Sequence, residues 1–458
     1  MEPVSHSIVR PTLRRSDRSQ PTPLARVMSL LLKVVRIVAI SVLSLAVCES
    51  GCNTVTPIQC LGQTVVPHAA RFTGTVIGGL SGISYDPQQR LYYVISDDKS
   101  MLSSARFYTV RLSVSDKGIG EIQFVATRSL RDRPRQLFGA ATSHTQAVPP
   151  DPEGIAFDTR RQRLYWSSEG AFEPARTGEP AIVLDTWVRI AGLDGSYLGE
   201  FTMPPGFNMS AAGDGGPRPN KSLEGLTLSP DGRFLFAAME DPRYEDGPNP
   251  DRDRAALVRI TKFDVKSRTP VAQYAYPLDL ASPPSQTNGP SDLVALTDSS
   301  FLVVERSGSD KGVIVRIYRA DIDSATDVLQ SPSLVVPPVL PMFKSLVTDL
   351  TTTPGLTPLD NIEGITLGPR LRDGRYSVVL VSDDNFLLTQ VTPSQWRRAV
   401  MIQARELNQT PSSLRCGVSA SRRRPTARAA AAGSSRFSAS LVQVKPRTQS
   451  RATATSGP

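Results

Sequence analysis

Glu224-Gly225-Leu226-Thr227-Leu228-Ser229-Pro230-Asp231-Gly232-Arg233-Phe234-Leu235-Phe236-Ala237-Ala238-Met239-Glu240-Asp241 reads as a short strand, a Pro-Asp-Gly turn, a second strand rich in β-formers, and two carboxylates where that strand stops. The same phrase is written elsewhere in the chain. Leu80-Ser81-Gly82-Ile83 runs to Ser96-Asp97-Asp98, Glu153-Gly154-Ile155 to Ser168-Glu169, and Glu363-Gly364-Ile365 to Asp383-Asp384. A worn copy, Ser291-Asp292-Leu293 to Glu305-Arg306, fills the gap before the last. Self-similarity at a spacing of roughly seventy residues is the signature of a radial or stacked repeat protein.

Short strands, Gly/Pro/Asp turns and recurrence together predict an all-β fold, a β-propeller of five to seven blades. The spacing exceeds the ~40–50 residues of an ordinary blade, so either the units carry insertions or there are more blades than visible copies of the phrase. Pro-rich stretches from Pro204 to Pro219, Pro242 to Pro250 and Ser331 to Pro341 are where those insertions are expected.

The chain has 458 residues and a formal charge of +9, which would suggest an anionic partner if it were spread over a folded face. Much of that charge lies at the ends. Residues 1–60 hold 7 Lys/Arg and 3 Asp/Glu, and residues 391–458 hold 12 and 1, which leaves 33 basic against 39 acidic residues for 61–390. The repeat domain is therefore acidic, which points to a cation site and away from nucleic acid. Residues 1–60 read as a basic leader, with an apolar run from Ile37 to Val47 that is short for a membrane span and suits a signal peptide. A retained membrane anchor is the alternative. Residues 391–458, with Arg422-Arg423-Arg424 and Ala429 to Ala432, read as a disordered basic tail. Cys48, Cys52 and Cys60 crowd the leader and Cys416 lies in the tail, so sheet packing rather than disulfides must stabilise residues 61–390.

Several designs are excluded by composition. Three dispersed histidines, His6, His68 and His144, do not supply a histidine-phosphatase nucleophile or a zinc site. Gly79-Leu80-Ser81-Gly82 falls one residue short of a nucleophile elbow, and there is no Gly-rich nucleotide loop.

Gly78-Gly79-Leu80-Ser81-Gly82-Ile83, Ala105-Arg106-Phe107-Tyr108, Asp151-Pro152-Glu153-Gly154-Ile155-Ala156, Ser222-Leu223-Glu224-Gly225 and Asn361-Ile362-Glu363-Gly364-Ile365 with Val381-Ser382-Asp383-Asp384-Asn385-Phe386 together resemble the phytase-like domain family, "esterase-like activity of phytase". The resemblance spans nearly all of residues 65–390. It implies a propeller, a secreted or periplasmic setting, and hydrolysis of phosphate esters in the manner of calcium-dependent propeller phytases. After Gln390 the chain departs from the pattern, since a basic tail follows where a final apolar strand is expected.

Calcium takes six to eight oxygen ligands, largely from carboxylates, and acids placed at equivalent points of a radial repeat converge on one face or on the channel. Such cations neutralise phosphate charge and activate water. Glu153, Glu224 and Glu363 at the repeat starts are the catalytic candidates. Asp98, Glu169, Glu240, Glu305 and Asp383 at the strand ends are the metal candidates, and Arg106, Lys221 and Arg306 the phosphate clamps. The competing reading of each Glu-Gly is a turn device, with Gly permitting the bend. Glu recurs at one register in three copies where a turn would accept Asn, Ser or Asp equally, while Ser81 and Ser291 hold that register in the other two. Two functions follow: a secreted, calcium-assisted hydrolase acting on a small phosphorylated substrate, or a non-catalytic propeller that binds a ligand or a cell-envelope partner. A monomer is expected, with membrane attachment only through the leader.

Overall fold

Each copy of the repeated phrase folds as the two inner strands of one antiparallel sheet. The computed structural model describes residues 60–386 apart from 134, 140–149, 176–180, 282–286, 310–311, 337, 355, 357–358 and 360. The signal-peptide, anchor and tail readings lie outside the described residues.

Blade 1 is built in order from Leu80–Asp86, Leu91–Ser96, Arg106–Ser115 and Gly118–Ser129, and blade 2 from Pro152–Asp158, Arg163–Ser168, Trp187–Gly192 and Tyr197–Glu200. Blade 3 comprises Leu223–Leu228, Phe234–Met239, Leu257–Asp264 and Thr269–Pro277, and blade 4 comprises Gly289–Ala295, Ser300–Ser309, Gly312–Asp321 and Phe343–Asp349. Asn361–Arg370 and Tyr376–Asp383 pair as a fifth, two-stranded sheet. Among the described residues there are thus four complete blades, not five to seven. Part of the long spacing is insertion: a hairpin of Ala171–Glu173 with Ile182–Leu184 sits inside blade 2, and a long connection from 322 to 342 sits inside blade 4. The only helical pieces described are two 3-10 turns, Tyr244–Asp246 and Leu350–Thr352.

The inner strands contact one another in a closed circuit, blade 1 to 2 to 3 to 4 to the fifth sheet and back to blade 1. Facing sheets fill the space between them with large side chains, as where Phe236 of blade 3 meets Phe301 of blade 4 at 4.7 Å between ring centroids.

A local device repeats in all five inner strands. Leu80 pairs with Ser96 but Ile83 with Val94, Pro152 with Ser168 but Ile155 with Trp166, and Leu223 with Met239 but Leu226 with Ala237. Pro290 with Glu305 then Asp292 with Val304, and Ile362 with Ser382 then Gly364 with Val381, complete the set. Each inner strand therefore carries one residue more than its partner at the Glu-Gly step, a β-bulge that redirects its side chains. The glycine there is imposed by close approach. A Cβ on Gly154 would lie 2.8 Å from the Glu224 carbonyl oxygen and 2.9 Å from the Leu226 nitrogen in the next inner strand. In the fourth copy Asp292 takes the glycine position.

Candidate metal centre

The bulge and the strand pairing together define which side chains meet at the axis. The residue ahead of the bulged position is Ser81, Glu153, Glu224, Ser291 and Glu363 in the five sheets. Two residues earlier, at the first residue of each inner strand or just before it, stand Gly79, Asp151, Ser222, Gly289 and Asn361. Opposite these, just past or at the end of the second strand, stand Asp97, Glu169, Glu240, Arg306 and Asp383. The equivalence is set by hydrogen bonds: the Asp97 amide donates to the Gly79 carbonyl (2.6 Å), Glu169 to Asp151 (3.1 Å) and Glu240 to Ser222 (2.8 Å), while Arg306 pairs with Gly289 and Asp383 with Asn361.

These positions bring carboxylates together in three overlapping groups, Asp97 with Asp151 and Glu153, Glu153 with Glu224 and Glu363, and Glu169 with Glu224 and Glu240. Within each group one oxygen per residue lies within 4.8 Å of the others. Three cations reach them. Lys99 Nζ lies 2.8 Å from Asp151, Lys221 Nζ donates to both oxygens of Glu240 (2.8 and 2.7 Å), and Arg306 pairs with Glu363 and Asn361. Ser81 Oγ donates to Glu153 Oε2 at 2.6 Å, and the Ser222 amide to Glu169 Oε1 at 2.5 Å. The carboxylates still outnumber their donors: no amide, hydroxyl, lysine or arginine hydrogen reaches the buried Asp97 Oδ1, Asp151 Oδ1 or Glu224 Oε2, and Asp97 meets Asp151 carboxyl to carboxyl.

Electrostatics report the same excess. Burial first, then repulsion from neighbouring carboxylates, holds Asp97, Glu153, Glu169 and Glu224 well above the usual carboxylate range. Glu363 is raised by burial against the opposing pull of Arg306. Asp383 is pushed up to about 8 by burial and by Glu363. Burial works to lower Lys221, but Glu240 and Glu224 outweigh it and the net is upward. An all-oxygen donor set with orphaned buried oxygens suits a hard cation such as calcium or magnesium, and lacks the nitrogen or sulfur that zinc prefers. The residues present fit such an ion.

Eight of the eleven residues singled out from sequence come together here: Glu153, Glu224, Glu363, Glu169, Glu240, Asp383, Lys221 and Arg306. Asp98, Arg106 and Glu305 do not. Asp98 and Arg106 form a buried ion pair with each other inside blade 1, where the Leu102 and Ser103 amides also donate to Asp98. Glu305 is buried in blade 4 against Lys344, Tyr276 Oη (2.7 Å) and Asn288 Nδ2 (2.8 Å). Both acids are one residue out of register with the axial set: alternation along its strand turns Glu305 to the other side, and Asp98, past the end of its strand, is held away by Arg106 and the loop amides. Asp97, Asp151 and Lys99 are brought to the site without having been singled out; the signal available was the i, i+2 pair Asp151/Glu153, which recurs as Asn361/Glu363.

The phytase-like family, described as "esterase-like activity of phytase", matches residues 75–386. The chain belongs to that family. The match takes in every carboxylate of this phytase-like chain's axial cluster. No curated protein sequence matches the chain. Among solved structures, the catalytic domain of the Coprinopsis cinerea GH62 alpha-L-arabinofuranosidase is similar over 76% of this phytase-like chain and 97% of its own length, at 9% identity and a TM-score of 0.33.

Proposed function

We propose that this chain is a secreted or periplasmic hydrolase of small phosphate esters, assisted by divalent cations, calcium first among them. The observation that carries the reading is the set of overlapping carboxylate groups with three buried oxygens that, once the acids are ionised, no donor of the protein reaches. A buried polar atom without a partner costs about 1–3 kcal/mol, so a cluster retaining three of them is poised for a ligand. Asp97, Asp151, Glu153, Glu169, Glu224, Glu240 and Glu363 are the residues that would hold cations. When bound, such ions neutralise phosphate charge and lower the pKa of a water nucleophile.

The protein's own groups have separable tasks. Arg306, with only 15% of its side chain exposed, holds Glu363 and neighbours Glu240, and so keeps the carboxylates of the fifth sheet and blade 3 in place. Lys99 and Lys221 retain 37% and 36% exposure, so they are the cations of the cluster that meet solvent and an incoming phosphate. The two-stranded sheet is read as the inner half of a fifth blade, because its inner strand shares the bulge of the other four and touches both blade 4 and blade 1. The repeat domain is taken as 61–390, acting as a monomer, with the leader exporting or anchoring it.

The test is phosphate release from phytate and from an aryl phosphate, with calcium and then with chelator, by the full chain and by Glu224→Gln. Calcium-dependent release lost in the variant supports the proposal; release that survives chelation and the substitution overturns it. A binding propeller without turnover is the second reading. It is favoured by the engagement of Lys99, Lys221 and Arg306 with carboxylates, which leaves no cation of the cluster free for phosphate alone. Cation binding without release of phosphate from either ester would select it.

A further inference from the structure

At the opposite ends of the same inner strands lies a funnel of about 1200 Å³, lined by all five sheets. Its lining begins two residues beyond the axial Ser81, Glu153, Glu224 and Glu363, at Ile83, Ile155, Leu226 and Ile365, and runs outward to the turns. Between funnel and carboxylates stands the Asp292 carboxylate, fully buried and bonded to the Leu226 and Ile365 amides.

The charge of the funnel is the reverse of the acidic end. Arg90 of blade 1, Arg160 of blade 2, and Arg370 and Arg372 of the fifth sheet line it, and all four are exposed. Among the described residues Arg90, Arg160 and Arg372 make no ion pair, and Arg370 bonds only the Tyr376 hydroxyl, at 2.8 Å. The single carboxylate in the lining, Asp158, is consumed locally by Arg161 (2.9 Å), Tyr165 Oη (2.7 Å) and the Arg160 and Arg161 amides. Deeper in, Ser84 Oγ accepts the Phe157 amide at 2.9 Å and Thr227 Oγ1 accepts the Ala295 amide at 3.0 Å. Each hydroxyl thus spends an acceptor on the neighbouring blade and keeps its hydrogen to donate. Guanidinium groups from three sheets line the same funnel as these donor hydroxyls; both recognise the oxygens of phosphate groups, and a concave site concentrates their field. At about 1200 Å³ the funnel is somewhat larger than an ordinary small-molecule pocket, room enough for a ligand carrying several phosphate groups.

We propose that this funnel is a second, non-catalytic site that binds a compact polyanion carrying two or more phosphate groups, separate from the carboxylate cluster at the other end of the axis. The proposal does not rest on the hydrolase reading, because none of the cluster's carboxylates lines the funnel.

The probe is inorganic tripolyphosphate, titrated calorimetrically into the full chain in calcium-free buffer containing chelator. The expected result is one-site binding that weakens linearly in log K with log salt, and by about tenfold or more when Arg160→Gln and Arg372→Gln are combined. Glu224→Gln should bind like the parent. Both arginines are exposed and unpaired, so the double variant should melt with the parent; if it does not, Arg90→Gln alone reads the same loss at smaller amplitude. Absence of binding, unchanged affinity in the arginine variants, or loss of binding in Glu224→Gln would each overturn the proposal.

Discussion

The Asp292 carboxylate accepts the backbone N–H of Ile365 at 2.8 Å, across the boundary from blade 4 to the fifth sheet, and with its other oxygen the N–H of Leu226 in blade 3 at 3.1 Å. One side chain thus ties three inner strands at the level where the other four carry glycine. It is fully buried, and burial holds its acid well above the usual range against the three amides that favour the charged form. Asp292→Ala leaves two amides of neighbouring strands unpaired and should cost about 2–4 kcal/mol, whereas Asp292→Asn keeps one acceptor oxygen and should cost less than half as much. Urea unfolding of the two variants checks this; equal losses would mean that the carboxylate does not join the strands.

Glycines of this fold separate into two kinds that substitution distinguishes. Gly154 lies outside the left-handed φ region but has no room, since its Cβ would press on the Glu224 carbonyl and the Leu226 backbone. Gly374 has open space but a φ of +85°. Gly154→Ala should destabilise by about 3 kcal/mol or more through displaced inner strands, and Gly374→Ala by about 1 kcal/mol through backbone strain. The expected order of melting temperatures is parent, Gly374→Ala, Gly154→Ala. A Gly154→Ala chain as stable as the parent would argue against the close packing of blades 2 and 3.

The carboxylate cluster makes stability depend on pH in a sense opposite to that of an ordinary salt-bridged acid. Burial and mutual repulsion raise Asp97, Glu153, Glu169, Glu224 and Glu363, and bring Asp383 to about 8. An acid raised on folding contributes stability that is fully present below its unfolded value of roughly 4 and is lost as pH rises through the folded value. The chelated chain should therefore melt at progressively lower temperature from about pH 5 to about pH 9. A cation binds the ionised form and releases protons, so the rise in melting temperature on adding calcium should grow over the same range. Scanning fluorimetry with calcium and with chelator reads both trends. A chelated chain that is most stable at the alkaline end would contradict the raised acids.

Much of this architecture is legible in the repeated phrase. Inner strand, turn, second strand and terminal acids are local features, and the Glu-Gly register identifies Glu153, Glu224 and Glu363 directly. What the phrase cannot convey is the pairing between strands. Asp97 and Asp98 are adjacent acids, as Glu240 and Asp241 are, and only the bond from the Asp97 amide to the Gly79 carbonyl says which one faces the axis. In blade 4 the same pairing brings Arg306 rather than Glu305 to the axis, which converts one would-be ligand position into a cation. The number of complete blades is not legible for a related reason, since long spacing can mean insertions inside a blade or additional blades, and here the connection from 322 to 342 is of the first kind.

The register difference has a direct experimental form in the neighbours Asp97 and Asp98. Asp98 is the buried partner of Arg106, whose side chain is 1% exposed, so Asp98→Asn strands a guanidinium in the core and should cost about 3 kcal/mol or more. It should leave calcium affinity within about twofold of the parent, because its side chain does not reach the cluster. Asp97→Asn should do the reverse. Removing one carboxylate from a crowded, partly unsatisfied group relieves repulsion, so the chelated variant should be at least as stable as the parent near pH 8 while its calcium affinity falls about tenfold or more. Calcium titration by calorimetry together with urea unfolding separates the two. If Asp98→Asn weakens calcium and Asp97→Asn does not, the axial ring is one residue away from where the strand pairing puts it.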